Sequence, residues 1–95
     1  MKTLRMTIND IKKLFGPGAV YNLKVNYNYF SGFIGLNNKV IYCSCGDVRF
    51  NPNWRENILF RSARDFKDYT GGHNNFFNLD DPELKSETII NRLEA

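Results

Sequence analysis

The segment 21–29 reads Tyr-Asn-Leu-Lys-Val-Asn-Tyr-Asn-Tyr, so that apolar and polar side chains alternate over nine positions. Successive side chains of a β-strand point to opposite faces of the sheet. A period of two over this length therefore predicts a half-buried strand with one apolar and one polar face. It is the clearest periodic signal in the chain.

Further strands are predicted on the C-terminal side of this segment. Ser31-Gly32 is expected to turn the chain, and residues 33–36 and 39–45 to form shorter strands around a two-residue turn at Asn37-Asn38. A further short strand is predicted at 48–50, between two clusters of turn-forming residues.

Residues 54–63 alternate a second time, and residues 75–79 are predicted as the last strand. One side of 54–63 carries Trp54, Glu56, Ile58 and Phe60, and the other carries Arg55, Asn57, Leu59 and Arg61. We expect the apolar sides of the two alternating segments to share one core. The predicted core set is Tyr21, Leu23, Val25, Tyr27, Trp54, Ile58 and Phe60.

A helix is predicted before the sheet, over residues 7–15. Thr7 is a suitable N-cap, Asp10 stands where a capping box needs an acceptor, and Met6 with Ile11 is placed for a hydrophobic staple. Gly16-Pro17-Gly18 then ends the helix abruptly.

A second helix, 82–93, is predicted after the sheet. Asp80 or Asp81 is expected to cap it, with Pro82 in its first turn. Connections this short require a mainly antiparallel sheet, because parallel crossovers need a dozen or more residues. The predicted fold is one α+β domain over residues 1–95, with four or five antiparallel strands and both helices on the apolar face.

The charge of the chain is uneven. Thirteen Lys and Arg against ten Asp and Glu give a net charge of +3. Residues 1–60 carry eight basic and three acidic residues, or +5, whereas residues 79–95 carry two and five, or −3. A basic body suits an acidic partner or a nucleic acid, but +5 is far below the charge of a dedicated DNA-coating protein.

The sequence also predicts the cellular compartment of the protein. The N-terminal residues contain no continuous apolar stretch, so we expect no signal peptide, and no window is apolar enough to span a membrane. Cys43 and Cys45 stand too close for a normal structural disulfide framework. We therefore expect reduced thiols and a cytoplasmic protein.

The run 61–78 is the first candidate for a binding site. Gly71-Gly72 marks a tight reversal, which would place Asp68 and Tyr69 before it and His73 and Asn74 after it at a loop tip. Asp68 is expected to accept hydrogen bonds from the loop backbone, with Arg64 as its counter-charge. An exposed aromatic tip is a usual anchor in protein interfaces.

The polar side of the sheet is the second candidate. Lys24, Arg55 and Arg61 are expected to share one outer surface and to offer cations to phosphates or carboxylates. Sheets that grip single-stranded nucleic acid expose aromatic rings, whereas the tyrosines here are predicted on the opposite face.

Catalytic and metal sites are less well supported by the sequence. Cys43, Cys45 and His73 give at most three soft ligands, and the second ligand pair of a zinc site is missing. The same residues lack the setting of a reactive thiolate. A small hydrolase or nuclease using Asp65, Asp68 and His73 in the 65–73 loop stays open as an alternative. We predict no cofactor and no bound metal.

The segment Arg61-Ser62-Ala63-Arg64, followed by Asp68 to Asn74, is similar to a segment of short uncharacterised accessory proteins of conjugative elements and phages. The resemblance implies an accessory protein of a mobile element, and such proteins more often bind a host component than catalyse a reaction. The predicted function is therefore non-enzymatic binding of a protein partner. Nucleic-acid binding through Lys24, Arg55 and Arg61 is the first alternative.

Overall fold

Five strands form one antiparallel sheet in which each strand pairs with the next along the chain, in the order β1-β2-β3-β4-β5. The computed structural model describes residues 7–26, 29–36, 39–46, 56–68 and 72–94. Its elements are α1 (Ile8–Phe15), a 3₁₀ turn (Pro17–Ala19), β1 (Val20–Asn26), β2 (Tyr29–Leu36), β3 (Lys39–Cys45), β4 (Asn57–Ala63), β5 (Asn75–Asn78) and α2 (Ser86–Glu94). The predicted α+β fold is confirmed.

Helix α1 begins with the predicted capping box. The Oγ1 atom of Thr7 accepts from the backbone N–H of Asp10 at 3.4 Å, and the Asp10 carboxylate accepts from the Thr7 N–H at 2.8 Å. Two of the N–H groups that a helix N-terminus leaves unpaired are satisfied in this way. Gly16 ends the helix with a φ of 96° and donates its N–H to the Lys12 carbonyl.

Both helices pack on one side of the sheet, which we call the helix face. Ile11 and Phe15 of α1 and Ile89 of α2 are buried there against side chains from all five strands. The Phe60 ring lies at the centre, with its centroid 5.9 Å from that of Phe15 and 5.8 Å from that of Phe77. The predicted burial of Ile58 and Phe60 is confirmed.

A bulge interrupts β1 and changes which side chains face the helices. Tyr21 pairs with Phe33 and Lys24 with Ser31, so Asn22 and Leu23 together stand opposite Gly32. Asn22 has a φ of 51°, a conformation that asparagine tolerates better than most residues. The extra residue shifts the alternation by one position.

The predicted core set is therefore only partly right for β1. Leu23 packs against the core of the helix face, but Tyr21 lies on the opposite face and is 46% exposed. Val25 keeps the predicted face but is 71% exposed.

The predicted turn at Ser31-Gly32 is wrong, because both residues lie within β2. A Cβ atom on Gly32 would lie 2.5 Å from the Leu23 Cα and 2.6 Å from the Asn22 carbonyl oxygen. Glycine is required here by the close approach of the bulge, not by a turn. β1 and β2 pair antiparallel, and the last pair of their register is Asn26 with Tyr29.

The other side of the sheet, which we call the loop face, has an apolar centre. Phe33, Tyr42 and Leu59 are buried there, and Phe66 from the segment after β4 packs against them. Asn57 and Arg61 are buried on this face as well. The prediction that Asn57 and Arg61 lie on a solvated polar surface is wrong, because both side chains are buried.

Helix α2 starts later than predicted, at Ser86 instead of Pro82. Asp81 accepts from the Glu83 N–H through its side chain and from the Leu84 N–H through its carbonyl. The predicted capping residue therefore stabilises a turn before the helix. No helix among the described residues is long and apolar enough to cross a membrane.

Several predicted features lie outside the described residues. They are the 48–50 strand, the Asn37-Asn38 turn and the residues Met6, Tyr27, Trp54, Arg55, Tyr69 and Gly71.

Candidate functional site

Strand β1 forms one edge of the described sheet and carries both of the exposed large hydrophobic side chains noted above. Val25 belongs to a row of directly paired residues on the helix face that continues through Phe30, Cys45, Ile58 and Phe77. Those four side chains are all buried, whereas Val25 is 71% exposed. The apolar row thus extends to the edge of the sheet, where its last side chain is exposed to solvent.

The opposite edge of the sheet is partly closed by a helix. Arg92 of α2 donates from Nη1 to the Phe76 carbonyl of β5 at 3.3 Å. Its guanidinium carbon also lies 4.1 Å from the centroid of the Phe77 ring. One main-chain acceptor of β5 is therefore already used. Within the part of the sheet that the structure describes, β1 is the other edge strand.

Tyr21 and Phe66 form an aromatic patch on the loop face beside this edge. Their ring centroids are 4.4 Å apart, and Phe66 also meets the edge of Phe33 at 6.3 Å. A Cβ atom on Gly35 would lie 2.9 Å from the Phe66 ring and 3.1 Å from the Tyr21 ring. The absence of a side chain at Gly35 leaves room for both rings to approach the sheet closely.

The segment 64–68 holds Phe66 in place through a compact turn. Asp68 accepts from the backbone N–H of Arg64 at 3.0 Å and from its Nε at 3.1 Å, and Asp65 accepts from the Lys67 N–H. The Asp68 carboxylate raises the pKa of Arg64 through this hydrogen bond and through its charge. The predicted contact of Asp68 with the loop backbone and with Arg64 is confirmed.

Arg61 is buried, at 5% exposure, and Gly72 and Asn74 lie against it. Its guanidinium carbon lies 4.6 Å from the centroid of the Tyr42 ring, and Nη1 donates to the Asn74 side chain at 3.3 Å. Gly72, with a φ of 78°, passes so close that a Cβ would lie 2.4 Å from the Ser62 carbonyl oxygen. Arg61 therefore ties residues 72–74 to the sheet.

Of the three residues predicted to form a basic surface, the two that the structure describes, Lys24 and Arg61, do not lie side by side. Lys24 and Arg61 lie on the same face, but β2 and β3 separate their strands, a distance of about 14 Å at ordinary strand spacing. Lys24 is exposed and Arg61 is not. Arg55, the third predicted member, lies outside the described residues.

The predicted loop tip is described only in part. His73 and Asn74 are exposed, and the His73 carbonyl accepts from the Asn75 side chain at 3.0 Å. Tyr69 lies outside the described residues. A role of these residues in binding stays a prediction.

Among the described residues, neither the Cys–His set nor the Asp–His set that was considered for catalysis or metal binding forms a cluster. Cys43 and Cys45 are free thiols in the core of the helix face, whereas His73 is exposed. Burial, with the nearby Cys45 thiol, raises the pKa of Cys43 well above its ordinary range, which opposes thiolate chemistry. Asp68 is buried against Arg64 and Asp65 bonds within its own turn, so neither aspartate faces His73 in a described contact.

A recess of about 290 Å³ lies where β3 begins and β4 ends, beside the last turns of α2. Its walls are mostly aliphatic, and two basic side chains stand among them. The lining residues are Lys39, Val40, Ile41, Ser62, Ala63, Arg64, Ile90 and Leu93. Arg64 is the only predicted site residue among them.

Phe66 was not predicted from the sequence as part of a site, and Tyr21 was predicted on the wrong face of the sheet. Two glycines in β2 carried the signal, because Gly32 and Gly35 lie three residues apart and so face opposite sides of the sheet. A glycine within a strand marks a close approach of another segment. Here the approaching segments are the β1 bulge on one face and the Phe66 turn on the other.

Comparisons of the chain with protein-family models, with curated proteins and with solved structures find no match. The resemblance of residues 61–74 to accessory proteins of mobile elements therefore stays a prediction.

Proposed function

We propose that this protein is a small non-enzymatic binding module that acts on a protein partner through strand β1 and the aromatic patch beside it. The observation that supports the proposal is the exposure of Val25 and Tyr21 on the same edge strand. Interfaces are anchored by a few apolar or aromatic side chains with a polar rim. Lys24, exposed between these two residues, supplies a charged rim.

The rigidity of the surface supports the same proposal. Phe66 is held by the Arg64–Asp68 pair and by packing on Tyr21 and Phe33. A pre-organised aromatic side chain loses little conformational entropy when it binds. The resemblance of residues 61–74 implies an accessory protein of a mobile element that binds a host protein. A pre-organised surface suits such a role.

The test is affinity capture from nuclease-treated extract of the native host. The variants are wild type, Val25→Asp and a control, Asn91→Asp, which adds the same charge at an exposed position of α2. We expect a protein that wild type and Asn91→Asp retain and Val25→Asp loses. Equal retention by all three variants would show that β1 is not the binding surface.

A second candidate function is binding of single-stranded nucleic acid. The observation in its favour is that Tyr21 lies on the loop face with Lys24, and not on the opposite face as the sequence predicted. A half-exposed ring beside a cation is the arrangement on which bases stack.

Fluorescence anisotropy with a labelled single-stranded oligonucleotide tests this candidate. Tyr21→Ala should cost about 1–3 kcal/mol of binding free energy. Lys24→Ala should reduce the slope of log affinity against log salt by about 0.7. Binding that is unaffected by both changes excludes this surface for nucleic acid.

A further inference from the structure

We infer that the partner binds β1 by adding an extended strand to the sheet, and that the added strand alternates apolar and acidic residues. The inference rests on the proposed function and specifies how the same surface is recognised. Strand addition obtains affinity from main-chain hydrogen bonds and specificity from alternate side chains.

The two edges of the sheet differ in a way that selects β1. The β5 edge is occupied in part by Arg92, which bonds to the Phe76 carbonyl. At β1, Val25 extends from the edge with 71% of its surface exposed. Within the described residues, no second strand pairs with the outer side of β1.

The regular part of β1 is the half that follows the bulge. Lys24, Val25 and Asn26 pair in uninterrupted register with Ser31, Phe30 and Tyr29. The bulge at Asn22 and Leu23, together with the lysine, disfavours pairing with an arbitrary strand. An acidic residue of the added strand beside Lys24 would offset the charge that otherwise disfavours pairing.

The two faces dictate the composition of the added strand. On the helix face, an apolar residue beside Val25 would extend the buried row that runs from Phe30 to Phe77. On the loop face, an acidic residue beside Lys24 would pair with its charge. Because side chains of a strand alternate between faces, these two requirements fall on neighbouring residues of the added strand.

The probe is a short synthetic peptide in which valine alternates with glutamate, blocked at both ends. Two control peptides carry lysine in place of glutamate, or the same composition with the valines in one block. Amide hydrogen exchange of the ¹⁵N-labelled protein is followed by NMR at millimolar peptide. We expect exchange to slow in residues 23–26 with the alternating acidic peptide and not with either control.

Charge reversal provides the matched pair of variants. Lys24→Glu should weaken binding of the acidic peptide by about threefold or more, as expected for an exposed ion pair. Lys13→Glu makes the same change at an exposed position of α1 and should leave binding unchanged. Unchanged exchange in β1 would overturn strand addition, and equal binding of the lysine peptide would overturn the acidic composition of the added strand.

The outcomes separate this inference from the proposed function. In one outcome, a protein is captured only when Val25 is present, but the peptide does not slow amide exchange in β1. This outcome supports the protein-binding function and refutes strand addition. In the other outcome, the peptide slows amide exchange in β1, but no captured protein depends on Val25. This outcome supports strand addition and refutes the proposal that β1 binds a host protein.

Discussion

Replacement of Gly32 by alanine tests the bulge that places Tyr21 on the loop face. The new Cβ would lie 2.5 Å from the Leu23 Cα and 2.6 Å from the Asn22 carbonyl oxygen. Carbon atoms in contact are about 3.5–4.0 Å apart, so the strands must separate by about 1 Å. Both obstructing atoms belong to the backbone, and a change of rotamer cannot relieve the contact.

The size of the effect follows from three contributions. Overpacking costs about 1–3 kcal/mol, and each β1–β2 hydrogen bond that is lost costs about 1 kcal/mol. The lower backbone entropy of the unfolded alanine variant returns about 0.4–1 kcal/mol. If two hydrogen bonds are lost, the free energy of unfolding falls by about 2–5 kcal/mol, a large part of the stability of a domain of this size.

Urea unfolding followed by circular dichroism measures this loss. The matched control is Gly18→Ala, because a Cβ at Gly18 meets no heavy atom within 4 Å. We expect the control to be as stable as wild type or slightly more so. Equal stability of both variants would show that β1 does not bulge over Gly32, and Tyr21 would then belong on the helix face.

Three further predictions concern other parts of the fold. Phe60→Ala should lower the free energy of unfolding by about 3–5 kcal/mol, since the ring is fully buried; a loss below 1 kcal/mol in urea unfolding would contradict its central position. Gly72→Ala should cost about 2–4 kcal/mol in the same assay, because its positive φ and the Ser62 carbonyl oxygen both oppose a side chain. Cys43 and Cys45 should resist iodoacetamide in the native protein and react after unfolding, as mass spectrometry would show; rapid native labelling would place them at the surface.

The sequence predicted the elements of the fold well where local chemistry defines them. The capping box of Thr7 and Asp10 and the glycine after Phe15 fix α1 through contacts within a few residues. The same is true of the turn that Asp68 makes with Arg64. Alternation in β4 correctly placed Ile58 and Phe60 in the core, because a regular strand keeps the period of two.

The candidate site was predicted less well, because its position depends on contacts between distant segments. The sequence named Lys24, which is exposed at the β1 edge, but grouped it with Arg61 on the assumption that alternating polar residues share a solvated surface. Residues 64–68 cover part of that surface instead, and Arg61 lies buried on the Tyr42 ring. Periodicity reports which side chains share a face, but not what later covers that face.

The sequence by itself determined an antiparallel sheet with one helix before it and one after it along the chain, since alternation, caps and short connections act over a few residues. Only the tertiary structure decided that Tyr21 and Val25 reach solvent on opposite faces of one edge strand. One additional residue in β1 reverses the faces of the side chains on either side of the bulge, and room for that residue exists only because Gly32 lies across from it. The surface proposed for binding thus depends on a contact between two strands that the alternation within β1 does not record.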